Sequence, residues 1–389
     1  MKMSQTRRKF METSLKGGLT IPFLSTPLLV ASESKVENSE KSDKKLNILI
    51  LGGTSFLGPH QIAYALKRGH SITTFTRGKT KPTFHQDLFK NVEMLVGDRE
   101  DNLKALEGRK WDAVIDNSGR RVKWTKDTAE LLKDNVDLYL YTSSTGVYYP
   151  YLGDDIKEDT KLVRELPSSF NKEYEKMEYE YGIMKANSEK TAQDIFGKER
   201  TIIVRPTYMV GPADKLDRFI YWPIRLSQGG EILVPGKGDD PVQYIDVRDV
   251  AQWMIRLIEK SKAGVYNGVG PASKTGMHAF VYGAYAAFSV PVSFVMVDDY
   301  DFLNENNLPY LVPWIMPTGN NQGTALINNK HSLANGLTLT PLATTVKDTH
   351  DWWYSDALTE ERRQKFEGNP RVLLNREKEL IKAWKAFKK

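Results

Sequence analysis

The order of apolar and polar positions predicts short buried strands that alternate with helices. An apolar run from Ile48 to Leu51 stops at two glycines and passes into a helical pattern. This order is typical of a first strand, a tight turn and a helix N-terminus. Further β-rich stretches follow at Ser71–Thr76, Val92–Val96, Trp111–Asp116 and Leu138–Thr142. Because helical stretches such as Asp127–Lys133 lie between them, the pattern predicts an α/β fold with a doubly wound parallel sheet.

The turn after the first strand has the composition of a phosphate-binding loop. A helix N-terminus has unpaired N–H groups and a positive dipole end, so it can hold a pyrophosphate. Gly52 permits the turn, Gly53 leaves room for a ligand, and Gly58 lets the helix lie close to the strand. Ser55 occupies the middle position of a G-x-x-G-x-x-G spacing, which is usually glycine. A purely structural glycine turn is the alternative interpretation.

Polar residues and glycines follow the other predicted strands, at the edge of the sheet where such folds bind ligands. Thr76 and Arg77 stand where a carboxylate would hold the ribose hydroxyls of NAD, and Arg77 could contact a 2′-phosphate. A solvated arginine in a turn is the alternative, so the cofactor is NAD or NADP, with NADP favoured by Arg77. The remaining strand ends contain Asp98, Arg99, Asn117, Ser118, Gly119, Thr142, Ser143 and Ser144.

A helical stretch from Glu173 to Lys190 contains a candidate catalytic pair. Tyr181 and Lys185 are four residues apart and therefore share one helix face. A neighbouring lysine lowers the pKa of a phenol and can bind the nicotinamide ribose, and the phenolate then acts as general base. The structural alternative is a surface tyrosine over a lysine stem. Ser144, which lies 37 residues upstream of Tyr181, and the glycine turn favour the catalytic interpretation.

From about Leu46 to the C-terminus, the chain resembles the extended short-chain dehydrogenase/reductase superfamily, in its NAD-dependent epimerase/dehydratase group. The motifs behind the resemblance are Ser144 through Tyr148, Tyr181 with Lys185, Arg205 through Thr207, and Tyr244 through Ala251. The resemblance implies Ser144 as the catalytic hydroxyl, with Ser143 as its less favoured neighbour, and Asp98 as the contact to adenine. The implied cofactor site further includes Gly52, Gly53, Thr54, Ser55, Phe56, Leu57, Gly58, Pro206 and Thr207.

Departures from the family pattern narrow the implied activity. With Ser55 in place of the middle glycine, the turn resembles that of a subgroup that includes chloroplast stem-loop-binding proteins. Some members of this subgroup bind RNA. Thr145 and Gly146 replace the acid pair of the dehydratases, which argues against 4,6-dehydration of a nucleotide sugar. Gln243 stands where many relatives use an arginine for a sugar-nucleotide diphosphate.

The resemblance therefore implies an oxidoreductase or epimerase that acts on a carbohydrate-like alcohol. Its cofactor would be tightly bound, and its hydride transfer would be redox-neutral. The alternative is a non-catalytic protein on the same fold that binds RNA or a sugar.

Residues 1–32 are typical of an export signal. Arg7, Arg8 and Lys9 precede an apolar run from Gly18 to Val30, and the paired arginines resemble the twin-arginine signal. The run is too short to span a bilayer, so no stable membrane anchor is predicted. The expected location is the bacterial periplasm, and a disordered basic tail is the alternative. Residues 33–45 are polar and predict a flexible linker.

Charge and composition exclude several classes of function. The chain has 55 basic and 49 acidic residues, and without residues 1–32 the counts become 50 and 48. This balance gives no electrostatic case for nucleic-acid binding. There is no cysteine, and the six histidines show no metal-binding spacing. The expected partners are a small-molecule substrate, taken to be a sugar, and the twin-arginine export machinery. The sequence allows a homodimer without specifying one.

These inferences together predict the domain organisation. The signal at 1–32 and the linker at 33–45 precede a Rossmann-type NAD(P)-binding domain at 46–206. A mixed region follows at 207–389. In it, a smaller C-terminal substrate lobe occupies about 207–240 and 267–345, and the other segments return to the first domain.

Overall fold

Strands and helices alternate along most of the chain in the computed structural model, which describes residues 41–82, 84–170 and 172–389. These residues all lie within one unit, Glu40–Lys389. The predicted export signal and residues 33–40 of the predicted linker lie outside the described residues. Within the described ranges, no helix is long and apolar enough to cross a membrane.

The central sheet contains seven strands, and every pairing in it is parallel. Its strands are β1 Asn47–Leu51, β2 Ser71–Thr76, β3 Glu93–Val96, β4 Trp111–Asp116, β5 Val136–Thr142, β6 Thr201–Pro206 and β10 Gly264–Gly268. Their order is β10-β6-β5-β4-β1-β2-β3, so the chain reverses direction across the sheet between β1 and β4. The predicted fold class, an α/β doubly wound parallel sheet, is confirmed, and each of the five strands expected from the sequence is present.

The remaining elements cover the sheet and form a second region. The helices are α1 Leu57–Lys67, α2 Val122–Leu132, α3 Glu173–Phe196, α4 Tyr221–Gln228, α5 Val247–Glu259, α6 Met277–Tyr285, α7 Tyr300–Glu305, α8 Lys330–Ala334, α9 Leu342–Trp353, α10 Glu360–Glu367 and α11 Leu373–Phe387. The short strands are β7 Met209–Val210, β8 Gly230–Pro235, β9 Ile245–Asp246, β11 Val292–Val297, β12 Tyr310–Leu311 and β13 Trp314–Ile315. Short 3₁₀ helices lie at Gln86–Asn91, Lys104–Leu106, Thr145–Tyr148, Lys198–Arg200 and Gly319–Asn321.

Each face of the sheet has its own apolar core, because successive strand residues point to opposite sides. Ile48 and Ile50 pack with α1 and α5 on one face. Leu49 and Leu51 pack with α2 and α3 on the other face. Burial on both faces explains why β1 is a continuous apolar run rather than an alternating one.

A third apolar core lies in the C-terminal part of the chain. It is formed by buried residues of α4, β8 and α6 together with Trp314 and with Leu380 of α11. Beneath it, the buried carboxylate of Glu377 accepts hydrogen bonds from Tyr221 and Arg225. The proposed domain boundaries, including the substrate lobe, stay predictions.

The close approach of α1 to the preceding turn requires glycine at position 58. A Cβ atom added there would lie 2.3 Å from the carbonyl oxygen of Gly53, and a backbone atom cannot move aside as a side chain can. We expect Gly58→Ala to lower the free energy of unfolding by about 1–3 kcal/mol through overpacking. Urea unfolding followed by tryptophan fluorescence measures this change.

Gly283→Ala is the matched control, since Gly283 is also helical. Its Cβ would meet only the end of the Leu342 side chain, at 3.3 Å. Its stability should change by less than about 1 kcal/mol. Equal effects of the two substitutions would contradict the argument from close approach.

Candidate active site

A cleft of about 680 Å³ lies at the carboxyl ends of the central strands. Its size falls within the range of small-molecule and cofactor sites. Eleven residues predicted to bind the cofactor line it: Gly52, Thr54, Ser55, Phe56, Leu57, Arg77, Asp98, Arg99, Asn117, Ser118 and Thr142. The reversal of strand order between β1 and β4 accounts for its position, because loops diverge there.

The glycine turn has the geometry of an anion-binding loop. Gly52 has a φ of 84°, which favours glycine, and its N–H donates to the carbonyl of Phe75. No side chain caps the N-terminus of α1, so its first N–H groups have no side-chain partner. Ser55 lies outside the left-handed region of φ, so its backbone does not require the usual glycine. Gly53 and Gly58 do not line the cleft. A Cβ on Gly53 would meet Thr74 of β2 at 2.7 Å, and Gly58 allows the helix to pack on the turn.

A buried ion pair forms part of the cleft wall. Arg99 follows β3 and pairs with Asp116 at the end of β4. Its guanidinium also donates to the carbonyl of Trp124 at 2.7 Å and to Ser118 Oγ at 3.2 Å. Burial alone would raise the pKa of the Asp116 carboxyl. The charge of Arg99 and the hydrogen bond from Tyr139 reverse this effect and hold the pKa below its usual range. Arg99 therefore lines the cleft with its charge already compensated inside the protein.

Polar residues at the ends of β4 and β5 are joined to one another. Thr142 Oγ1 donates to Asn117 Oδ1 at 2.7 Å, and Asn117 Nδ2 donates to Gln61 of α1 at 2.6 Å. Ser143 is buried, and its hydroxyl has no hydrogen-bond partner among the described residues. Buried hydroxyls are normally paired, so this unsatisfied group fits a site that a polar ligand completes.

The structure brings Tyr181 and Ser144 to the same short turn. A Cβ on Gly146 would lie 2.8 Å from the Tyr181 ring and 3.3 Å from Ser144 Oγ. The helix approaches this turn so closely that a Cβ on Gly182 would lie 2.4 Å from the Gly146 carbonyl oxygen. Tyr181 is 44% exposed, so its phenol is accessible to a substrate. The Tyr181 ring and Ser144 Oγ therefore lie against the same residue, Gly146, although their elements are distant in sequence.

Lys185 lies one turn further along α3, in a buried position. Its Nζ donates to the carbonyl oxygen of Thr142 at 2.9 Å and lies 4.9 Å from the ring centroid of Tyr141. Burial lowers the pKa of its amine to about 8, against the opposing charges of Asp116 and Glu189. The amine thus lies at the end of β5, beside a residue that lines the cleft.

Ser143, Ser144, Tyr181 and Lys185 do not themselves line the cleft, and three further predicted residues also lie outside its wall. Gly119 is buried against Tyr141, and its carbonyl accepts that residue's hydroxyl. Pro206 ends β6, and the N–H of Thr207 donates to the carbonyl of Gly268 at 3.2 Å. Their proposed contacts to the cofactor stay predictions. Within the described ranges, no group of three or more His, Asp or Glu side chains is placed to hold a metal ion.

Several residues that line the cleft were missed by the sequence analysis. They are Phe75, Gly78, Lys79, Thr80, Gly97, Arg120, Trp124, Met209 and Lys215. Lys79 could have been predicted from the sequence, since it lies two residues after Arg77 in a short basic turn that follows β2. No local pattern indicated Met209 and Lys215, because they come from the part of the chain after β6.

The fold and the site define a protein of the dinucleotide-binding, parallel-sheet class. Residues 48–269, more than half of the chain, match the model of the NAD dependent epimerase/dehydratase family, and the chain belongs to that family. The family predicted from the sequence is therefore confirmed.

One relative supports the subgroup that Ser55 suggested. The chain is 30% identical over 238 residues to chloroplast stem-loop binding protein of 41 kDa b from Arabidopsis thaliana. The match covers 58% of this chain and 58% of the relative. The chain thus spans a little over half the length of that relative.

Solved structures share the fold at low sequence identity. UDP-glucose 4-epimerase from Bifidobacterium longum, in complex with NAD⁺ and UDP, matches with a TM-score of 0.56 and 17% identity. The match covers 80% of this chain and 98% of that one. Human epimerase family protein SDR39U1 with NADPH matches with a TM-score of 0.53 and 18% identity, covering 78% and 99% of the two chains.

The buried amine of Lys185 should reduce the stability of the folded protein. Its pKa of about 8 lies below the ordinary 10.5, so the folded protein binds fewer protons than the unfolded chain between these values. Stability therefore rises with pH through this window. We expect Lys185→Met to raise the free energy of unfolding by about 1–2 kcal/mol at pH 7, because burying the charge costs more than its contacts return.

The increase in the free energy of unfolding caused by Lys185→Met should be smaller when urea unfolding is repeated at pH 10. At that pH the wild-type amine is mostly neutral in the folded state. Lys190→Met is the matched control, since Lys190 is exposed on the same helix. Its effect should be small and should change little with pH. A Lys185→Met variant that is less stable than wild type at pH 7 would contradict the assignment of a costly buried amine.

Proposed function

We propose that this protein is an NAD(P)-dependent oxidoreductase or epimerase that acts on a carbohydrate-like alcohol. The observation that supports it most is that Tyr181 and Ser144 lie against the same glycine, Gly146, while Lys185 of the same helix donates to Thr142, which lines the cleft. These three residues come from a helix and from the end of a neighbouring strand. The competing proposal, a non-catalytic binding protein on the same fold, gives no reason for this arrangement.

The residues that line the cleft fit a dinucleotide. The uncapped N-terminus of α1 suits a pyrophosphate. Next to the cleft-lining Thr142, the unsatisfied hydroxyl of Ser143 leaves a buried donor for a polar group. When bound, the nicotinamide would accept a hydride from the substrate carbon and could return it. Lys185 would bind the adjoining ribose, because an ammonium has three donors and the structure shows one used, on Thr142.

Each catalytic side chain has a distinct role toward the alcohol. Tyr181 would remove the proton of the substrate hydroxyl as general base. Ser144 Oγ accepts a hydrogen bond from the Gly146 N–H at 3.0 Å, so its own proton is available to the substrate oxygen. If the cofactor stays bound, oxidation and reduction must balance within one turnover, and we propose epimerisation or another redox-neutral reaction.

The proposal also covers the class of substrate and the location of the protein in the cell. The side-chain amide of Gln243 exchanges two hydrogen bonds with the backbone of Ile327, which leaves no cation at that position for a diphosphate. We propose a sugar without a nucleotide group. Export by the twin-arginine route to the periplasm is consistent with this choice, since nucleotide sugars would be scarce there.

The first test is the dinucleotide content of protein purified without added nucleotide. The protein is denatured, and mass spectrometry of the supernatant quantifies NAD(H) and NADP(H). We expect stoichiometric dinucleotide, because the cleft contains an anion-binding turn and the unsatisfied hydroxyl of Ser143 follows the cleft-lining Thr142. A protein that contains none and binds neither cofactor would overturn the proposal.

A second test concerns NADP. Arg77 and Lys79 are exposed at the end of β2, and neither has an ion-pair partner in the described part of the chain. A 2′-phosphate would supply one. We expect Arg77→Gln to weaken NADP⁺ binding about tenfold, with little change for NAD⁺, as measured by calorimetry. Arg371→Gln, an exposed residue outside the cleft wall, is the control. An equal loss of affinity for NAD⁺ and NADP⁺ would contradict a contact between Arg77 and the 2′-phosphate.

A further inference from the structure

One basic residue of the cleft wall comes from the C-terminal part of the chain. Lys215 lies in the loop of residues 211–218, which joins β7 to α4, and it lines the same cleft as the glycine turn. Each of the other basic residues that line the cleft follows a strand of the central sheet: Arg77 and Lys79 follow β2, Arg99 follows β3, and Arg120 follows β4. Lys215 therefore brings a cation to the cleft from a separate part of the fold.

The loop that contains Lys215 is held beside the N-terminus of α1. The carbonyl oxygen of Pro212 accepts a hydrogen bond from Nε2 of His60, which lies in the first turn of that helix, at 3.1 Å. Phe56, which precedes α1 and lines the cleft, packs against the apolar cluster that contains Ala213. The loop thus lies against the helix end at which the anion-binding turn stops.

The carboxylates closest to Lys215 along the chain already have partners. Asp214 accepts a hydrogen bond from Arg218 at 3.1 Å, and Asp217 pairs with Arg362 of α10 at 2.6 Å. In the part of the chain that the structure describes, Lys215 itself has no hydrogen-bond or ion-pair partner. Its side chain is half-buried, and this burial and the charge of Arg362 lower the pKa of its amine. A partly desolvated ammonium without a carboxylate partner favours an anionic ligand.

The lining of the cleft as a whole has an excess of positive charge. Asp98 is the one acidic side chain among the described residues that line it. Four basic side chains of the lining have no ion-pair partner within the described ranges, namely Arg77, Lys79, Arg120 and Lys215. The chain after residue 32 is nearly neutral, with 50 basic and 48 acidic residues, so this excess is local. Such a local field suits the phosphates of a dinucleotide.

We propose that Lys215 binds the pyrophosphate of the dinucleotide together with the N-terminus of α1. The inference deepens the proposed function and rests on it for the identity of the ligand. The Lys215 ammonium has three donors, and no described residue uses any of them. Because Asp217 and Arg362 join its loop to α10, the bound ligand connects the C-terminal part of the chain to the glycine turn. Lys215 acts in binding and takes no part in proton transfer.

The test is titration calorimetry of the full chain with ADP-ribose, NAD⁺ and NADP⁺, after charcoal treatment removes bound nucleotide. ADP-ribose contains the pyrophosphate and lacks the nicotinamide. We expect Lys215→Gln to weaken ADP-ribose binding about tenfold, because a charge-assisted contact to the pyrophosphate is lost. The ratio of NADP⁺ to NAD⁺ affinity should stay at its wild-type value, since both cofactors contain the same pyrophosphate.

Two further variants separate the charge of Lys215 from its packing. Lys215→Arg keeps a cation and should bind ADP-ribose within about threefold of wild type. Lys161→Gln is the matched control, since Lys161 is exposed and lies outside the cleft wall, and it should leave all three affinities unchanged. Added salt should weaken ADP-ribose binding to wild-type protein more than binding to Lys215→Gln, because salt screens the lost charge interaction.

Unchanged ADP-ribose affinity in Lys215→Gln, or a Lys215→Arg variant as weak as Lys215→Gln, overturns the inference. If the protein also binds NAD⁺ or NADP⁺, the inference alone is rejected and the proposed function stands. A protein whose ADP-ribose affinity depends on Lys215, but which binds neither NAD⁺ nor NADP⁺, would reject the proposed function while supporting the inference. A wild-type protein that binds none of the three ligands would overturn both.

Discussion

The buried ion pair between Arg99 and Asp116 connects the two halves of the cleft. Arg99 extends from the end of β3 to the end of β4, across the ends of the two strands between them. Tyr139 of β5 donates to the same carboxylate, and Arg99 also holds the carbonyl of Trp124 and the hydroxyl of Ser118. Removing one partner would leave a buried charge uncompensated, a loss of about 3–5 kcal/mol. The shape of the wall at β4 therefore depends on this pair.

The position of α3, which contains the predicted base Tyr181, depends on close backbone approach and on a buried ion pair. Gly146 and Gly182 allow α3 to lie against the turn after β5, so that Tyr181 stays accessible while Lys185 is buried. A second buried ion pair, between Glu189 of α3 and Arg205 of β6, holds the helix to the sheet with hydrogen bonds of 2.9 and 2.7 Å. The position of the proposed base is thus set by these two glycines and by this ion pair.

Much of this arrangement could be predicted from local sequence. The strands were predictable because burial on both faces makes β1 a continuous apolar run that ends at glycine. The spacing of Tyr181 and Lys185 placed them on one helix face, and the motifs indicated the family whose model matches residues 48–269. Arg99 was harder to interpret. Its position after β3 suggested a cofactor contact, and nothing local showed that Asp116 would be its partner.

The sequence by itself determined the fold class, the family and the residues at each strand end, because periodicity and turn chemistry act between near neighbours in the chain. The tertiary structure decided which of these residues meet. It paired Arg99 with Asp116, brought the Tyr181 ring and Ser144 to the same glycine, and joined Glu189 to Arg205. Such contacts depend on strand order and on the packing of helices from distant segments, and these are set by the burial of apolar surface over the whole chain rather than by any local pattern.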